Sequence, residues 1–357
     1  MADMATGRRV VTLEVPEAWF ASPEDGDRHQ LFYSSLLAAL AELEVLIDPV
    51  WLPRGAERTP RPAGQGDFTI SFHSHGPDAG NVLRCKESYI PPYYSMDPIG
   101  YACFSQLARQ PELYHDAIAR QDADRASSFV RDLAQELKSG NLSKYPQPDY
   151  AEGTATNYVF LPLQVQNDSV AVGRWIETPE VMRRVADAAA ARGLRTIIKR
   201  HPRCRSRRIA GLLDDLAQRP DVVISTASVH TLIANAELVV GANSGVLFEA
   251  LIQGKPVVSY AAADFGQVTQ QVHTSEALTQ AITMPDRVDA SRRDKFLFWY
   301  LTEYCVRADD VPAIRQRISL ALDAHPAGLR SGQRAFASYK RRLYAYSLID
   351  RIKRRFF

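Results

Sequence analysis

Three apolar runs of the sequence are each followed by polar side chains that can bind an anion or take part in group transfer. Residues 158–168 are Tyr-Val-Phe-Leu-Pro-Leu-Gln-Val-Gln-Asn-Asp, residues 194–202 are Leu-Arg-Thr-Ile-Ile-Lys-Arg-His-Pro, and residues 241–249 are Gly-Ala-Asn-Ser-Gly-Val-Leu-Phe-Glu. Apolar runs bounded by chain breakers are typical of buried parallel strands. Ligands bind at the carboxyl ends of strands in open α/β sheets. We therefore expect an acid, an imidazole and a Ser-Gly helix start to converge on an anionic ligand.

The elements that position these groups alternate regularly after residue 157. Alternation of strands and helices predicts a parallel sheet with right-handed crossovers. Gly193, Gly254 and Pro256 stand where helices should stop. The predicted strands are 158–164, 194–199, 221–224, 237–241 and 256–260, and the predicted helices are 178–192, 206–218, 229–236 and 245–253.

The N-terminal half has a less regular pattern. Here we predict strands at 9–15 and 68–72, a helix at 27–46, surface and structured loops at 52–66 and 86–101, and largely helical structure at 106–139. The Pro-containing stretch 143–156 has no apolar periodicity and marks a boundary. Further helices are predicted at 290–323 and from about 333 onward. The predicted domains are 1–150, 151–323 and 324–357.

Composition restricts the class of protein. A chain of 357 residues is long enough for two domains, and 46% hydrophobic and 24% charged residues are ordinary for a globular protein. The formal charge of +2 gives no indication of nucleic acid binding. Cys85, Cys103, Cys204 and Cys305 are widely spaced, which excludes a zinc ribbon and fits a reducing compartment. With no secretion signal or apolar span in the sequence, we expect a cytoplasmic protein.

The three motifs resemble the retaining β-Kdo transferases of capsule and O-antigen assembly, which use CMP-Kdo. The residues that carry the resemblance are 164–168, 199–202 and 243–245 with Glu249, and in the N-terminal half 87–101 matches best. The resemblance implies an α/β, GT-B-like fold. In that fold, two Rossmann-type domains face a cleft and C-terminal helices cross back to the N-terminal domain.

Asp168 follows the first run. On its own, an aspartate before Ser169 is typical of a helix cap or turn. The resemblance implies instead a nucleophilic carboxylate that forms and releases a glycosyl adduct, since retention of configuration needs two displacements. Gln164 and Gln166 flank it and are predicted to orient it or to bind sugar hydroxyls.

His201 ends the second run, where a histidine can also be an ordinary loop residue. A functional histidine here would donate to the donor phosphate and stabilise departing CMP. The resemblance places the pair His201-Pro202 against that phosphate. Lys199, Arg200 or Arg205 would then bind the phosphate or the Kdo carboxylate.

Asn243, Ser244 and Gly245 begin the helix after the third run. Ser244 suits a helix cap, and the free amides at the helix start suit a phosphate. Glu249 stands alone among apolar neighbours, and the resemblance assigns it to the nucleotide ribose. The motif lacks the Gly-x-Gly-x-x-Gly pattern, so neither NAD nor FAD is expected. Ser228, at another strand-to-helix turn, is predicted to cap its helix or to contact the donor.

Titratable groups of the N-terminal half are Glu87, Asp97, His73 and His75. Each has a structural interpretation, and one should serve as acceptor base or substrate clamp. Glu87 best suits the family pattern. His73 and His75 lack an apparent third ligand, so no metal is expected.

The last stretch, from Arg334 to Phe357, has eight Lys or Arg and one acid, with aromatic and aliphatic residues at helical spacing. A basic amphipathic helix of this kind predicts contact with a membrane surface. The alternative is a last helix packed on the N-terminal domain, and both can hold for different parts.

Together these features predict a glycosyltransferase that moves Kdo from CMP-Kdo to a lipid-linked saccharide, with retention through Asp168. It would need no cofactor or metal and would bind no nucleic acid. It would lie on the cytoplasmic face of the inner membrane. The alternatives are a transferase or epimerase for another nucleotide sugar, and a non-catalytic subunit of a polysaccharide assembly complex.

Overall fold

In a computed structural model, the described residues are 8–21, 26–53, 68–78, 80–149, 156–166, 168–286 and 288–324, with single residues 341, 345, 348, 349, 352, 353 and 355. Most of the predicted loop at 52–66, part of the 143–156 boundary and most of the predicted tail helix lie outside them. The chain forms two compact units. The first lies within residues 1–86, 94–101 and 306–357, and the second within 87–93 and 102–305.

The first unit is built on one sheet. Its elements are β1 (Val10–Pro16), α1 (Glu17–Ala21), α2 (Gly26–Glu42), β2 (Leu46–Leu52), β3 (Phe68–Phe72), β4 (Val82–Glu87), β5 (Tyr93–Asp97), β12 (Cys305–Arg307) and α12 (Val311–Ala324). The strand order is β12-β5-β4-β3-β1-β2. Strand β1 pairs in parallel with β2 and β3, and β3 with β4.

Four strands of this sheet, β2, β4, β5 and β12, were not expected from the sequence. Strand β2 contains Pro49, which argues against a central strand, but β2 lies at the sheet edge, where proline is tolerated. Strand β5 lies in the stretch predicted as a loop at 86–101. All five of its residues are buried, so it has no apolar alternation that would indicate a strand.

The second unit follows the predicted alternation closely. Its elements are α3 (Gln106–Arg109), α4 (His115–Ala119), α5 (Ala123–Ser139), β6 (Tyr158–Pro162), α6 (Thr178–Ala191), β7 (Arg195–Lys199), α7 (Arg207–Leu216), β8 (Val222–Ile224), α8 (Val229–Ala234), β9 (Ala236–Gly241), α9 (Gly245–Ile252), β10 (Val257–Ser259), β11 (Gln270–Gln271), α10 (Ser275–Thr283) and α11 (Ala290–Trp299). Short 3-10 helices occur at Ala102–Phe104, Pro111–Tyr114, Ser169–Gly173 and Gly266–Val268, and a π-helix at Tyr300–Tyr304.

The second sheet is parallel, with the order β11-β10-β9-β6-β7-β8. From β6 the chain moves to one side for β7 and β8, then returns to the other side for β9 and β10. The strand order therefore reverses between β6 and β9, and a crevice opens at such a point in α/β sheets.

Helices cover both faces of this sheet. In β6, Val159 and Leu161 contribute to one core, and Tyr158 and Phe160 to the other. Alternate side chains of a strand point to opposite faces, so a strand buried on both sides is apolar throughout. This explains the uninterrupted apolar runs in the sequence and confirms the predicted α/β class.

The compact units differ from the predicted domains, whose boundaries were 150 and 323. Helix α5 belongs to the second unit because its apolar side chains, among them Val130 and Leu133, pack into that unit's core. The chain then returns to the first unit at Val306, as the predicted C-terminal crossing requires. Ile314 and Ile318 of α12 lie in that unit's core.

The prediction of continuous helix over 290–323 was wrong. The stretch is interrupted by the π-helix at Tyr300–Tyr304 and by β12, an edge strand of the first sheet. The interruption occurs where the chain passes from the second unit to the first. Residues on both sides of it are apolar and buried, so the sequence pattern did not separate the two helices.

Candidate functional site

The three motifs emerge at the carboxyl ends of neighbouring parallel strands of the second unit. Pro162 of β6 is paired with Lys199 of β7, and β6 is also paired with β9 on its other side. The backbone amide of Leu163 donates to the carbonyl of Lys199 at 2.9 Å, which keeps the two ends together. The segments after β6, β7 and β9 therefore leave the same edge of the sheet, as predicted.

Asp168 is exposed on a loop that a hydrogen bond from Asn243 holds in place. It precedes the 3-10 helix Ser169–Gly173, but within the described residues its side chain forms no cap bond to it. Asn243 Nδ2 donates to the carbonyls of Val170 at 3.1 Å and Ala262 at 2.9 Å, so the turn after β9 anchors the loop. Asp168 accepts a 3.3 Å bond from the Ser169 hydroxyl. The carboxylate is thus held on an anchored loop.

Gly173 ends this loop at a close approach. A Cβ atom there would lie 2.9 Å from the Cβ of Cys103 and 3.4 Å from Asn243 Nδ2. Contacts below 3.0 Å force a displacement of one of the partners. Packing therefore requires glycine at this position.

His201 is held with one ring nitrogen already engaged. Its Nδ1 accepts the backbone N–H of Arg203 at 3.1 Å. In the neutral ring the proton must then be on Nε2, which leaves Nε2–H as a donor. Burial lowers the pKa of His201; the charge of Asp168 opposes this, and Arg203 adds to the lowering. The imidazole is therefore neutral at pH 7 and lies within the electrostatic reach of Asp168.

Two cations, Lys199 and Arg200, lie on the same segment as His201. Lys199 Nζ donates to the carbonyls of Thr226 at 3.0 Å and Ala227 at 2.6 Å, and burial lowers its pKa. Arg200 Nη2 donates to the carbonyl of Cys204 at 2.8 Å, while its buried Nε has no protein partner among the described residues. Neither cation forms an ion pair in the part of the chain that the structure describes. Uncompensated positive charge favours an anionic ligand.

Pro202 and Arg205 lie beside these groups on the surface. Both side chains are exposed, and Pro202 is in the turn that follows β7. Within the described ranges, no hydrogen bond or ion pair joins either side chain to the other site residues.

Ser244 precedes α9 without capping it. Its side chain forms no cap bond in the described structure, and its Oγ is buried without a partner there. The first amides of a helix have no intrahelical acceptor. A Cβ at Gly245 would meet the carbonyl oxygen of Tyr89 at an ordinary 3.6 Å, so packing does not require glycine there. The helix start thus offers amides and a hydroxyl to a ligand.

Two more buried oxygen atoms near these strand ends accept no hydrogen bond from the described residues. Gln164 Oε1 and Asn243 Oδ1 are buried and have no hydrogen-bond partner within the described ranges. A buried polar atom without a partner costs about 1–3 kcal/mol, so such atoms mark places where a ligand or water completes the bonding. Gln166 differs, because its Oε1 accepts from Arg174 Nη1 at 3.1 Å.

Glu249 is almost fully buried, with 1% of its surface exposed. The hydroxyl of Ser143 donates to its Oε1 at 2.6 Å, and its Oε2 has no partner among the described residues. Burial raises its pKa to about 8, and the bond from Ser143 opposes the rise. At pH 7 the side chain is therefore mostly a neutral acid, able both to donate and to accept a hydrogen bond.

Glu87 and Ser228 are engaged inside the protein. Glu87, at the end of β4, pairs with Lys144 Nζ at 2.8 Å. The Ser228 hydroxyl donates to Asn141 Oδ1 at 2.5 Å and accepts the amide of His230 at 3.2 Å, as a helix cap does. Capping, one of the two predicted roles of Ser228, is confirmed. The role of Glu87 as a base stays a prediction.

His73, His75 and Asp97 belong to the first unit and not to this cluster. His73 follows β3 with a φ of 49°, and its ring lies 5.0 Å from that of Tyr101. Asp97 Oδ1 accepts the amides of Ile99 and Gly100, which is a structural turn. In the described residues no group of three or more His, Cys, Asp or Glu is arranged to hold a metal ion.

The sequence did not predict a role for the linker segment, residues 141–149. Besides the bonds from Ser143 and Lys144, its Tyr145 ring lies 5.2 Å from that of His201 at 85°. The carbonyl of Leu142 accepts from His230 Nε2 at 2.7 Å. This segment has no periodic pattern, and its partners are far away in sequence. Only the polar triplet Ser143-Lys144-Tyr145 distinguishes it.

The chain belongs to the capsule polysaccharide biosynthesis proteins: the sequence model of that family matches residues 87–304, more than half of the chain. The match begins at Glu87 and contains the candidate residues from Glu87 to Glu249, but not His73 and His75. No curated protein sequence matches the chain.

Solved structures of similar form have low sequence identity. The β-Kdo 2,4 transferase of Thermosulfurimonas dismutans KpsC is 16% identical, with 86% of this chain and 98% of that chain covered and a TM-score of 0.47. Its β-Kdo 2,7 transferase is 14% identical, with 87% and 100% covered and a TM-score of 0.46. The UDP-GlcNAc 2-epimerase of Methanocaldococcus jannaschii is 10% identical, with 82% and 99% covered and a TM-score of 0.33.

Proposed function

We propose that this protein is a glycosyltransferase that moves Kdo from CMP-Kdo to a saccharide acceptor with retention of configuration. The observation that carries the proposal is the arrangement at the edge of the second sheet. A carboxylate on an anchored loop, a neutral imidazole and two cations that form no ion pair among the described residues lie at adjacent strand ends. A nucleotide-linked acidic sugar presents a phosphate, a carboxylate and an electrophilic carbon to such groups.

In the first step, an Asp168 carboxylate oxygen bonds to the anomeric carbon. The bond from that carbon to the phosphate oxygen breaks, and its electron pair leaves with CMP. Charge accumulates on the phosphate, where His201 Nε2–H and the cations Lys199 and Arg200 would stabilise it. The amides at Gly245 and the Ser244 hydroxyl would bind the same phosphate or the ribose.

In the second step, the acceptor hydroxyl attacks the same carbon, and the Asp168 carboxylate leaves with its electron pair. The hydroxyl proton passes to a base, for which Glu87 is the proposed residue. Two displacements restore the starting configuration. Glu249 binds the ribose in this proposal, and its neutral form can donate to a ribose oxygen.

We further propose a lipid-linked acceptor at a membrane surface, with the protein on the cytoplasmic side. The described tail residues Leu348, Ile349 and Ile352 are exposed, as are Lys353 and Arg355 nearby. Apolar and basic side chains together favour an anionic membrane surface. None of the helices in the described ranges is long and apolar enough to cross a membrane.

Calorimetry with free nucleotides tests the donor class. CMP should bind with heat, whereas UDP and GDP should bind far more weakly or not at all. Preferential binding of UDP would instead support the alternative of a transferase or epimerase that uses a UDP-sugar. Absence of binding by all three would support a non-catalytic role.

A further inference from the structure

Three consecutive residues of the linker segment each contact a different candidate site residue of the second unit. Ser143 donates to Glu249, Lys144 pairs with Glu87, and the Tyr145 ring packs on His201. A connector between sheet and helix ordinarily faces solvent and tolerates change. This one instead contributes a hydrogen bond, an ion pair and an aromatic contact to the side chains expected to bind substrate.

The Tyr145 ring contacts two residues of the segment after β7, His201 and Arg203. Its ring centroid lies 5.2 Å from that of the imidazole, and the two planes are nearly perpendicular at 85°. The guanidinium carbon of Arg203 lies 4.9 Å from the centre of the Tyr145 ring. Arg203 also donates its backbone amide to His201 Nδ1. Each of the three residues therefore contacts the other two. The imidazole is held by the Tyr145 ring and by the hydrogen bond at Nδ1.

We propose that Tyr145 is a positioning residue for His201, which holds the imidazole so that Nε2–H remains turned toward the phosphate of a nucleotide donor. This inference rests on the proposed function. The aromatic ring, rather than the phenol hydroxyl, carries the role, since the observed contacts involve the ring alone. Ser143 has the corresponding relation to Glu249, where its hydroxyl occupies Oε1 and leaves Oε2 open.

The surroundings of His201 determine in which direction its pKa should change when Tyr145 is replaced. Asp168 and Arg203 are the charged groups that act on it, and burial is the larger influence. Tyr145 is part of the cover over the ring. Its removal exposes the imidazole to water, so the pKa of His201 should rise toward its ordinary value, whereas phenylalanine should preserve the cover.

The test compares Tyr145→Leu, Tyr145→Phe and the control Asp149→Ala, which changes an exposed residue of the same segment. For each variant we would measure turnover of CMP-Kdo, CMP affinity, the His201 pKa by NMR and the melting temperature. Tyr145→Leu should lose on the order of 10-fold in turnover and show a raised His201 pKa. Tyr145→Phe and Asp149→Ala should match the wild type in both.

Two outcomes would overturn the inference. One is an unchanged His201 pKa and turnover in Tyr145→Leu, and the other is an equal loss in Tyr145→Phe. A general loss of folding in Tyr145→Leu is recognised by its melting temperature, and Tyr145→Met, which keeps a long apolar side chain without the ring, then takes its place in the same NMR and turnover comparison. Failure of the proposed function is distinct, because the wild type would then bind no CMP while the NMR comparison remains readable.

Discussion

Glu249→Gln should make the protein's stability less dependent on pH. The folded-state pKa of Glu249 is raised from its ordinary 4.5 to about 8, chiefly by burial. Between these values the unfolded chain has released the proton and the folded protein still holds it, so wild-type stability falls as pH rises. Glutamine keeps the shape and can still accept from Ser143 but does not titrate.

The magnitude follows from the width of that window. Each pH unit between 4.5 and about 8 should cost the wild type about 1.4 kcal/mol relative to Glu249→Gln, a total of about 5 kcal/mol at high pH. At pH 4.5 and below, the two proteins should be similarly stable. The advantage of the variant appears as pH rises.

Urea denaturation from pH 4.5 to pH 9 measures this difference, with hydrogen exchange of the α9 amides to assign the transition to the second unit. The control is Glu237→Gln, because Glu237 lies in the same unit with a partly exposed side chain in an ion pair with Arg192. A stability difference between the wild type and Glu249→Gln that does not change with pH would refute the claim that Glu249 is a buried, neutral acid at pH 7.

Other predictions concern the phosphate group, the loop and the tail. His201→Ala should lose on the order of 100-fold in turnover if the imidazole stabilises departing phosphate, and steady-state kinetics would show no change if it does not. Gly173→Ala should lower the free energy of unfolding by about 1–3 kcal/mol, because the new methyl group meets Cys103. Adding Cys103→Gly to that variant should restore the melting temperature, and an unchanged melting temperature in Gly173→Ala alone would contradict the prediction. Removal of residues 348–357 should abolish liposome binding, since each basic residue contributes about 1 kcal/mol there, and leave activity on a soluble acceptor. Insolubility of that truncated protein would show that the tail belongs to the fold.

Much of the second unit could be predicted from its sequence because its central strands are buried on both faces and two of its helices, α6 and α9, are followed by glycine. The apolar runs before Gln164 and Lys199 have no other ready interpretation. The edge strands β2 and β12 and the inner strands β4 and β5 were missed, because pairing in the sheet, not local pattern, determines them. The same holds for the division of the chain into units.

Contacts between distant residues explain what the sequence could not show of the site. Ser143 lies 106 positions before Glu249, and nothing local to either residue indicates the bond between them. Ser244 shows the opposite case, since a serine before Gly245 predicts a cap that the described structure does not contain. Local patterns located the strand ends, but the tertiary fold decides which polar atoms remain open.

The measurement that tests the central claim most directly is intact mass spectrometry of the protein incubated with CMP-Kdo and no acceptor. The wild type should gain the mass of one Kdo unit, and peptide mapping should place it on Asp168. Asp168→Ala should gain nothing and lose transfer, while CMP binding and the melting temperature remain near those of the wild type. An adduct that maps only to another residue, or substantial transfer by Asp168→Ala, would contradict the account.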